Sequence, residues 1–526
     1  MTEPLDEAGV AVLAEAHEVD TVEGLSQEAL LAKIPEYDAL VVRSATQVTR
    51  AVLEAGRRLR VVGRAGVGVN NIDVEAATER GIVVVNVPDG NTIAATEQTF
   101  ALLLALARRT PDAVASLRAG RWERQAFVGT ELRGKTLGII GLGRIGREVG
   151  RRAQAFGMNI CGYDPFLPAE AAEALGIRFL PMAEVLQAAD VLTVHTPLTP
   201  QTQGMIGERE LRLLPSDALV LNCARGGIID EDALYRVLVS GHLGGAALDV
   251  YAHEPATDNP LVKLPNVIAT PHLGASTREA QSVSALEVAR YVRAVLAGDP
   301  VQTAVNLPAL SQQDWEETEP MVRLGELLGS LAVQGLGARF GEIEIRSVEL
   351  PGRGGEWVTA AVLRGMLDHA VDDVVNLVNA RALAHANGLR VTYGQSREAP
   401  ERSLHLRVRS DGEQHTLAGH VQPDGSLRLT ELDGMPLDIS PSRFMLLTRH
   451  EDRPGLIGHV GSILGQGGVN IAAMLVGRRA ARGPAVMVLC VDEAVPQDIL
   501  SELRALPNVE RVQPVVLPEA LVRSGY

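Results

Sequence analysis

Residues 136–146 constrain the fold of this chain more than any other segment, because they read strand, glycine turn and helix in direct succession. An apolar run ends at Ile140 and leads into the pattern G-x-G-x-x-G, formed by Gly141, Gly143 and Gly146. The first glycine allows a tight turn, the second lets the backbone approach a pyrophosphate, and the third lets the helix pack closely on the strand. The segment therefore predicts a dinucleotide-binding turn with phosphates at a helix N-terminus.

An acidic residue at the end of the next predicted strand supports this interpretation. Asp164 follows the apolar residues 159–163 and lies 18 positions after Gly146. That is close to the roughly 20-residue offset at which a carboxylate binds the ribose hydroxyls of NAD. A carboxylate there also repels the additional phosphate of NADP. The alternative is a structural strand–turn–helix unit that binds no nucleotide.

Length and composition limit the classes of protein to which the chain can belong. At 526 residues it exceeds one hydrophobic core and predicts about three to four domains. A net charge of -16 without a basic tract argues against nucleic-acid binding, and the longest apolar run, residues 100–107, is too short for a membrane span. Cys161, Cys223 and Cys490 form no metal-binding spacing or disulfide framework, and the acidic first residues do not resemble a signal peptide. We therefore expect a cytoplasmic protein without a metal site.

The order of predicted elements indicates several domains. Strands alternate with helices up to about residue 270, which predicts parallel-sheet α/β structure. The glycine turn follows a first set of such units and a long helix over residues 277–296 comes after the last, so we expect a nucleotide-binding domain inserted into an N-terminal domain. Residues 306–320 contain Pro, Gln and acidic residues and predict a linker. After a mixed segment, the last residues follow the β-α-β-β-α-β order of a ferredoxin-like fold.

Three polar residues come directly after predicted strands of the nucleotide-binding region: Arg225, Glu254 and His272. Because ligands bind at the carboxyl ends of the strands in such sheets, these residues are expected to meet in one crevice. A carboxylate beside a histidine fixes the imidazole, which can then exchange a proton with a hydroxyl group as hydride moves to or from NAD. Any one of these residues alone would be interpreted as an ordinary core or surface residue. The occurrence of all three after neighbouring strands favours a catalytic role.

The N-terminal region offers two candidate cations for an anionic substrate. Arg43 and Arg64 each lie at the end of a predicted parallel strand. A planar guanidinium group suits phosphate and carboxylate groups. A lone arginine is more often a solvated surface residue. Because both arginines follow parallel strands, binding of the substrate and simple exposure on the surface stay equal alternatives.

Together with neighbouring motifs, these residues resemble the D-isomer-specific 2-hydroxyacid dehydrogenases over residues of about 40–280. The motifs are VVRSAT at Arg43, GRAG at Arg64, NTIAATE at Asn91, the glycine pattern, YDP at Asp164, HTP at His195, NCARGG at Arg225, ALDV at Asp249 and PHLGAST at His272. The tail, with HEDRPG at His450 and GVNIA at Asn470, is similar to the ACT module, which binds amino acids. The segment between resembles the intervening domain of the long-form members of this family.

The resemblance implies a fold with four units. These are a Rossmann nucleotide-binding domain inserted in a flavodoxin-like substrate domain, an α+β intervening domain and a ferredoxin-like ACT domain. The expected boundaries are 1–95 for the first part of the substrate-binding domain, 96–286 for the NAD-binding domain, 287–305 for the return to the substrate-binding domain, 306–440 for the intervening regulatory domain and 443–518 for the ACT domain.

The resemblance also assigns roles to residues. The implied catalytic set is Arg225, Glu254 and His272. The implied NAD-binding set is Val67, Gly141, Gly143, Arg144, Ile145, Gly146, Asp164, Thr196, Cys223, Ala224, Arg225, Asp249, His272, Leu273, Gly274 and Ala275. The implied substrate-binding set is Arg43, Ser44, Arg64, Gly66 and Asn91, and the implied regulatory pair is Asp452 and Asn470.

Two positions depart from the pattern of the family. Val67 stands where relatives carry Thr, which removes a hydroxyl contact to NAD. Asp452 replaces an Asn of some serine-inhibited members. A carboxylate only accepts hydrogen bonds, so it can hold an ammonium group but contacts a ligand carboxylate poorly. The second departure bears on regulation by serine and not on catalysis.

The implied activity is the NAD-dependent oxidation of 3-phospho-D-glycerate to 3-phosphohydroxypyruvate, the first step of L-serine biosynthesis. The implied partners are further copies of the chain, in a dimer or tetramer, and L-serine as an effector at the C-terminal domain, with no nucleic acid and no membrane. Two alternatives stay open: a related NAD-dependent enzyme of glycerate, glyoxylate or 2-oxoglutarate, and a non-enzymatic NADH-sensing protein that binds partners. The ACT-like tail favours a metabolic enzyme under amino-acid control.

Overall fold

The computed structural model describes residues 1–299, 301, 303–338, 341–371, 374–396, 400–410 and 412–522 of the chain. These residues form four β-sheets with helices packed on them. The first two sheets are parallel and belong to the first 300 residues, and the last two are mainly antiparallel. None of the described helices is long and apolar enough to cross a membrane.

The N-terminal sheet has three parallel strands in the order β1-β2-β3. Helices α2, α3 and α4 cover one face, and α1 and the returning helix α12 cover the other, so the strands are buried on both sides and consist of valine-rich apolar sequence. The elements of this unit are α1 (Glu7–Ala14), α2 (Gln27–Lys33), β1 (Ala39–Val42), α3 (Arg50–Ala55), β2 (Val61–Arg64), α4 (Val74–Glu79), β3 (Val83–Asn86) and α12 (Arg278–Ala297).

The second sheet has seven parallel strands in the order β10-β9-β8-β7-β4-β5-β6. The strand order reverses between β4 and β7, which is where doubly wound sheets bind ligands. Its elements are α5 (Thr92–Arg108), α6 (Thr110–Arg118), β4 (Thr136–Ile140), α7 (Arg144–Ala155), β5 (Asn159–Tyr163), α8 (Ala169–Glu173), β6 (Arg178–Phe179), α9 (Met182–Ala188), β7 (Val191–Val194), α10 (Glu208–Leu211), β8 (Leu219–Asn222), α11 (Glu231–Val239), β9 (Gly245–Leu248) and β10 (Val267–Ala269). The predicted Rossmann domain is confirmed.

The chain passes between these two sheets after β3 and returns after β10. Helix α5 packs on the Rossmann strands, whereas α12 packs on α1 and β2. The loops at both passages therefore border the space between the sheets, and they carry Asn91 and His272. The Rossmann unit is thus inserted into the N-terminal unit, as predicted, and the residue boundaries of the domains stay a prediction.

The third sheet has six strands in the order β12-β11-β13-β14-β15-β16, of which β11 and β12 are parallel and the other pairs antiparallel. Helices α13 and α14 pack closely together and cover it. The elements are α13 (Gln312–Gln334), β11 (Glu342–Ser347), α14 (Gly354–Leu367), α15 (Ala380–Ala386), β12 (Arg390–Gln395), β13 (Ser403–Ser410), β14 (Glu413–Val421), β15 (Leu427–Leu432) and β16 (Met435–Ile439).

The prediction of a linker over residues 306–320 is wrong from Gln312 onward, because α13 begins there and continues through Pro320. Ser311 and Asp314 form a reciprocal capping box at its N-terminus. The ring of Trp315 packs edge-on against Trp357, with centroids 4.9 Å apart. Capping and burial outweigh the interior proline, which costs an unsupported helix about 3 kcal/mol.

The tail is a ferredoxin-like unit with the predicted order β-α-β-β-α-β, and this prediction is confirmed. Its antiparallel sheet has the strand order β18-β19-β17-β20. Its elements are β17 (Phe444–Glu451), α16 (Leu456–Gln466), β18 (Ile471–Arg478), β19 (Pro484–Val491), α17 (Gln497–Arg504), β20 (Val509–Val516) and α18 (Glu519–Val522). Helices α16 and α17 cover one face, and the other face shares with α13 a hydrophobic core that includes Leu331, Leu447 and Val515.

Candidate active site

A cleft of about 830 Å³ lies between the N-terminal sheet and the carboxyl ends of the Rossmann strands. It brings together polar residues from both units. The predicted site residues that line it are Arg43, Ser44, Arg64, Gly66, Val67, Asn91, Arg225, Glu254, His272 and Ala275. The expected convergence of the three candidate catalytic side chains is thus present in the structure.

His272 and Glu254 form a hydrogen-bonded pair in this cleft. His272 Nδ1 lies 2.9 Å from Glu254 Oε2, and both side chains are half-exposed. The Tyr251 N–H donates to the other carboxylate oxygen, Oε1, over 3.1 Å, which orients the carboxylate. In the tautomer in which Nδ1–H donates to Glu254, the lone pair of Nε2 is left to accept a proton.

The loop that carries His272 is held in an uncommon conformation. His272 has a φ of 56°, a left-handed value that costs a residue with a Cβ atom ~1–3 kcal/mol. Beneath it, the fully buried Asp249 accepts the N–H groups of Leu273 and Gly274, each over 2.8 Å, and the hydroxyl of Thr270 over 2.6 Å. These bonds keep His272 in place, and a direct contact of Asp249 with a cofactor stays a prediction.

Arg225 lies in a turn after β8 that is shaped by Asn222. The Asn222 side chain accepts the Ala224 N–H over 3.0 Å and donates to the Arg225 carbonyl over 2.9 Å. The Arg225 guanidinium donates to the Ala224 carbonyl over 2.6 Å. Burial lowers the pKa of Arg225, and the charge of Glu254 opposes this. The remaining guanidinium donors can serve an anionic group in the cleft.

Arg64 is folded over the loop that follows β2 and contributes, like Arg225, a partly buried cation. Its Nη1 donates to the Ala65 carbonyl over 3.0 Å. Burial, together with repulsion from Arg225 and Arg43, lowers the pKa of Arg64 to about 10, so it is still protonated at neutral pH. A Cβ atom at Gly66, whose φ is 150°, would lie 1.8 Å from Nη1 of Arg64. The glycine is therefore needed for this arginine to reach the cleft.

The glycine turn between β4 and α7 has the geometry that a dinucleotide requires. A Cβ atom at Gly146 would lie 2.0 Å from the Gly141 carbonyl oxygen, so α7 packs against the turn at a distance that only glycine allows. Above Gly143 the space is open. Asp164, at the end of β5, accepts the N–H of Leu142 over 2.8 Å, which places its carboxylate beside the turn.

Unpaired buried atoms near this turn fit a cofactor. Thr196 Oγ1, His195 Nδ1 and Asn91 Oδ1 are buried and have no hydrogen-bond partner among the described residues. Burial lowers the pKa of His195 to about 4, so its ring is neutral at physiological pH. Buried polar atoms normally have partners, and a nucleotide bound along the glycine turn could supply them. The donor and acceptor set is thus compatible with NAD.

The other residues predicted to bind the cofactor surround the turn and the edge of the sheet. Arg144, the first residue of α7, forms a 2.5 Å ion pair with Asp89 from the passage between the sheets. Ile145 packs on the Rossmann core, and Cys223 and Ala224 are buried after β8. Burial raises the pKa of the Cys223 thiol to about 12, so it behaves as a small apolar residue.

The predicted regulatory residues both lie on the tail but have separate partners. Asp452 pairs with Arg478 and accepts the Arg482 N–H over 3.2 Å. Asn470 Nδ2 donates to Asp492 over 2.6 Å. In the part of the chain that the structure describes, no hydrogen bond joins Asp452 to Asn470, and no cluster of three potential metal ligands occurs anywhere.

Sequence reasoning missed several residues that shape the cleft. Tyr251 and Asn71 both line it. Tyr251 holds the Glu254 carboxylate, and Asn71 holds the loop that carries Arg43. Glu3 contacts the same loop. Asn71 lies near the GRAG motif and Tyr251 beside ALDV, so their closeness to these motifs was a usable signal, whereas Glu3 had none.

The cofactor preference of the site can be tested at Asp164. We expect wild-type protein to prefer NAD to NADP, because a carboxylate at the end of this strand is predicted to bind the ribose hydroxyls and to repel a 2′-phosphate. Asp164→Ala should lower the ratio of kcat/KM with NAD to kcat/KM with NADP by roughly tenfold or more. A charge-assisted hydrogen bond to the ribose of NAD is lost, and the repulsion of the NADP phosphate is relieved. Asp232→Ala, on the exposed start of α11, should leave the ratio unchanged. Equal use of both cofactors by wild-type protein would contradict the assignment.

Three family models match the chain in succession. The model of the D-isomer specific 2-hydroxyacid dehydrogenase NAD binding domain matches residues 100–274. The model of the D-3-phosphoglycerate dehydrogenase intervening domain matches residues 317–433, and that of the ACT domain matches residues 444–508.

Similar proteins extend over almost the whole chain. D-3-phosphoglycerate dehydrogenase of Methanocaldococcus jannaschii is 44% identical over 97% of this chain and 98% of its own length. The Bacillus subtilis enzyme of the same name is 41% identical over 92% of both chains. Among solved structures, a Thermus thermophilus protein aligns with a TM-score of 0.53 and 36% identity over 58% of this chain and 98% of its own. A D-lactate dehydrogenase of Aquifex aeolicus, solved with NAD and lactic acid, aligns with a TM-score of 0.51 and 27% identity over 55% of this chain and 91% of its own.

Proposed function

The chain belongs to the D-3-phosphoglycerate dehydrogenases of the D-isomer-specific 2-hydroxyacid dehydrogenase family, and we propose that 3-phospho-D-glycerate is oxidised in the cleft between its first two sheets. The protein is an NAD-dependent enzyme, and its product is 3-phosphohydroxypyruvate, which leads to L-serine. The observation that carries the assignment is the His272–Glu254 pair in a cleft that also holds Arg43, Arg64 and Arg225.

His272 is the general base of this reaction. Its Nε2 accepts the proton of the substrate C2 hydroxyl, and Glu254 holds the ring through Nδ1 and stabilises the imidazolium that forms. NAD, when bound, supplies the hydride acceptor. Asp249 keeps the His272 loop in its strained conformation, so that Nε2 stays in position throughout the transfer.

The three arginines match the two anionic groups of the substrate. Arg225 lies next to the His272–Glu254 pair and binds the carboxylate and the oxygen at C2, where charge develops as the ketone forms. Arg43, Ser44 and Arg64 lie across the cleft on the N-terminal sheet and bind the phosphate. The guanidinium groups bind oxyanions in a two-pronged manner.

Activity with and without the substrate phosphate tests this assignment and separates it from the alternatives. We expect purified protein to reduce NAD with 3-phospho-D-glycerate at a kcat/KM far above that with D-glycerate. Equal kcat/KM values for both substrates would favour a general hydroxyacid dehydrogenase. A protein that binds NADH but turns over neither substrate would favour an NADH-sensing role.

The enzyme is a homo-oligomer in this proposal. Apolar side chains are exposed on and after α6, where Trp122 is 79% and Val128 77% accessible, and Leu117 is also exposed. Several large apolar side chains exposed in one region are typical of a protein–protein interface, here proposed to be with another copy of the chain. The expected cytoplasmic location rests on cysteine usage and stays a prediction.

L-serine is the proposed effector of the ACT domain. We expect calorimetry to detect L-serine binding to the full-length protein, and Asn470→Ala to weaken it about tenfold, because the amide supplies both a donor and an acceptor. Asn387→Ala, at the exposed end of α15, is the matched control. Removal of the tail is unsuitable as a test, since it would open the core shared with α13. Absence of binding to wild-type protein would remove serine as the effector and leave the catalytic assignment intact.

A further inference from the structure

The turn formed by residues 43–46 carries Arg43 and Ser44 at the edge of the cleft, and the Glu3 carboxylate fills its concave side. Glu3 Oε1 accepts the N–H groups of Arg43 over 2.9 Å and of Thr46 over 3.0 Å. Glu3 Oε2 accepts the N–H of Ala45 over 3.1 Å. Three of the four backbone donors of the turn are therefore used by one side chain.

Asn71 holds the same turn through its carbonyl groups. Its Nδ2 atom donates to the Arg43 carbonyl over 2.8 Å and to the Thr46 carbonyl over 2.7 Å. Both ends of the turn are thus fixed from two sides. Among the described residues, Ser44 is the one member of the turn whose N–H has no hydrogen-bond partner, and Ser44 lines the cleft.

The charge of Glu3 is unexpected beside a site for an anion. Burial alone would raise the pKa of this carboxyl group, but the hydrogen bonds from Thr46, Ala45 and Arg43 lower it below its ordinary value. A carboxylate near the phosphate would oppose binding by simple electrostatics. Its oxygens, however, are occupied by the turn, so its contribution to the site is the shape of the turn.

We propose that Glu3 and Asn71 are positioning residues for phosphate recognition: they clamp the 43–46 turn so that Arg43 and the free N–H and hydroxyl of Ser44 face the phosphate of the substrate. This inference rests on the proposed function. It extends it to two residues that contact neither the reacting carbon nor the cofactor turn. The clamp determines selectivity for the phosphorylated substrate and leaves the proton-transfer pair unaffected.

The substitution Glu3→Gln separates this positioning role from simple charge repulsion. The positioning role predicts a rise in KM for 3-phospho-D-glycerate, whereas charge repulsion predicts a fall. The amide keeps one acceptor but presents an NH₂ group to a backbone donor of the turn, so the turn loses its shape. We expect KM for 3-phospho-D-glycerate and the inhibition constant for inorganic phosphate each to rise about tenfold. kcat, KM for D-glycerate and the Kd for NADH should stay near wild type. If repulsion dominated, removal of the charge would lower KM for the phosphorylated substrate.

Asp6→Asn is the matched control. Asp6 also lines the cleft, but it caps α1 by accepting the Ala8 N–H and does not touch the turn. Its replacement removes a negative charge and should leave KM for 3-phospho-D-glycerate unchanged or slightly lower. Should Glu3→Gln fail to fold, seen as loss of NADH binding, Asn71→Ala carries the same test, since it removes both donors to the turn.

Unchanged or lowered KM for 3-phospho-D-glycerate in Glu3→Gln would overturn the inference, and so would an equal rise for both substrates. A wild-type protein that does not discriminate between the two substrates would instead overturn the proposed function. The two failures are therefore distinguishable.

Discussion

Replacement of His272 by Ala is expected to lower kcat by about 10²–10⁴-fold while the Kd for NADH stays within about threefold of wild type. In the proposed mechanism the imidazole accepts the hydroxyl proton, and Glu254, which contacts its Nδ1 atom, lies on the other side of the ring from Nε2. We expect nucleotide binding to depend mainly on the glycine turn and the end of β5, which this substitution does not touch. Steady-state turnover and NADH fluorescence titration measure the two quantities separately.

His253→Ala is a fitting control, because His253 is an exposed histidine directly beside Glu254. It should retain wild-type kcat. Glu254→Gln should lie between His272→Ala and wild type, since the ring keeps an acceptor but loses the charge that stabilises the imidazolium. Near-normal kcat in His272→Ala would refute the proton-transfer assignment.

Arg64→Ala is expected to raise KM for 3-phospho-D-glycerate by about 10–100-fold, because a charge-assisted, two-pronged contact to the phosphate is lost. The same substitution should change KM for D-glycerate by less than about threefold. The partly buried position of the guanidinium, which its path over Gly66 makes possible, increases the effect, since water screens a partly buried charge less than an exposed one.

Arg57→Ala serves for comparison, because Arg57 is an exposed arginine of the same domain, remote from the cleft. Its KM values should match wild type. A parallel loss with both substrates in Arg64→Ala would place Arg64 at the carboxylate, and loss of NADH binding would indicate damage to the fold.

The parts of the site that the sequence predicts well are those encoded locally. The turn can be predicted from the glycine pattern, because each glycine is required by steric contacts with residues close to it in the sequence. The convergence of Arg225, Glu254 and His272 also follows from local patterns, since each residue comes after a parallel strand and such strands end at one edge. The ferredoxin-like tail is predictable for a similar reason: its strands and helices alternate at short spacing.

The parts that escape prediction depend on contacts between distant segments. The carboxylate of Glu3 meets the 43–46 turn only after β1 has joined the sheet, and nothing in its neighbourhood marks it. Asp249 belongs to a recognisable motif, yet its hold on the His272 loop depends on β9 and β10 lying side by side. The start of α13 escapes prediction because the Pro, Gln and acidic residues of 306–320 indicate a linker, whereas the core that stabilises the helix lies in other segments.

The arginines proposed to bind the phosphate and the proposed general base follow strands of different sheets, which are joined where the chain passes across and returns. A substrate that contacts both groups must extend from one side of the cleft to the other, so its length affects whether it binds productively. We expect a phosphorylated acid that is one carbon longer or shorter to contact the proposed arginines and the proposed base less well at the same time. The cleft would thus select substrates by their length, and the binding energy of the phosphate would be used to position the C2 hydroxyl at His272.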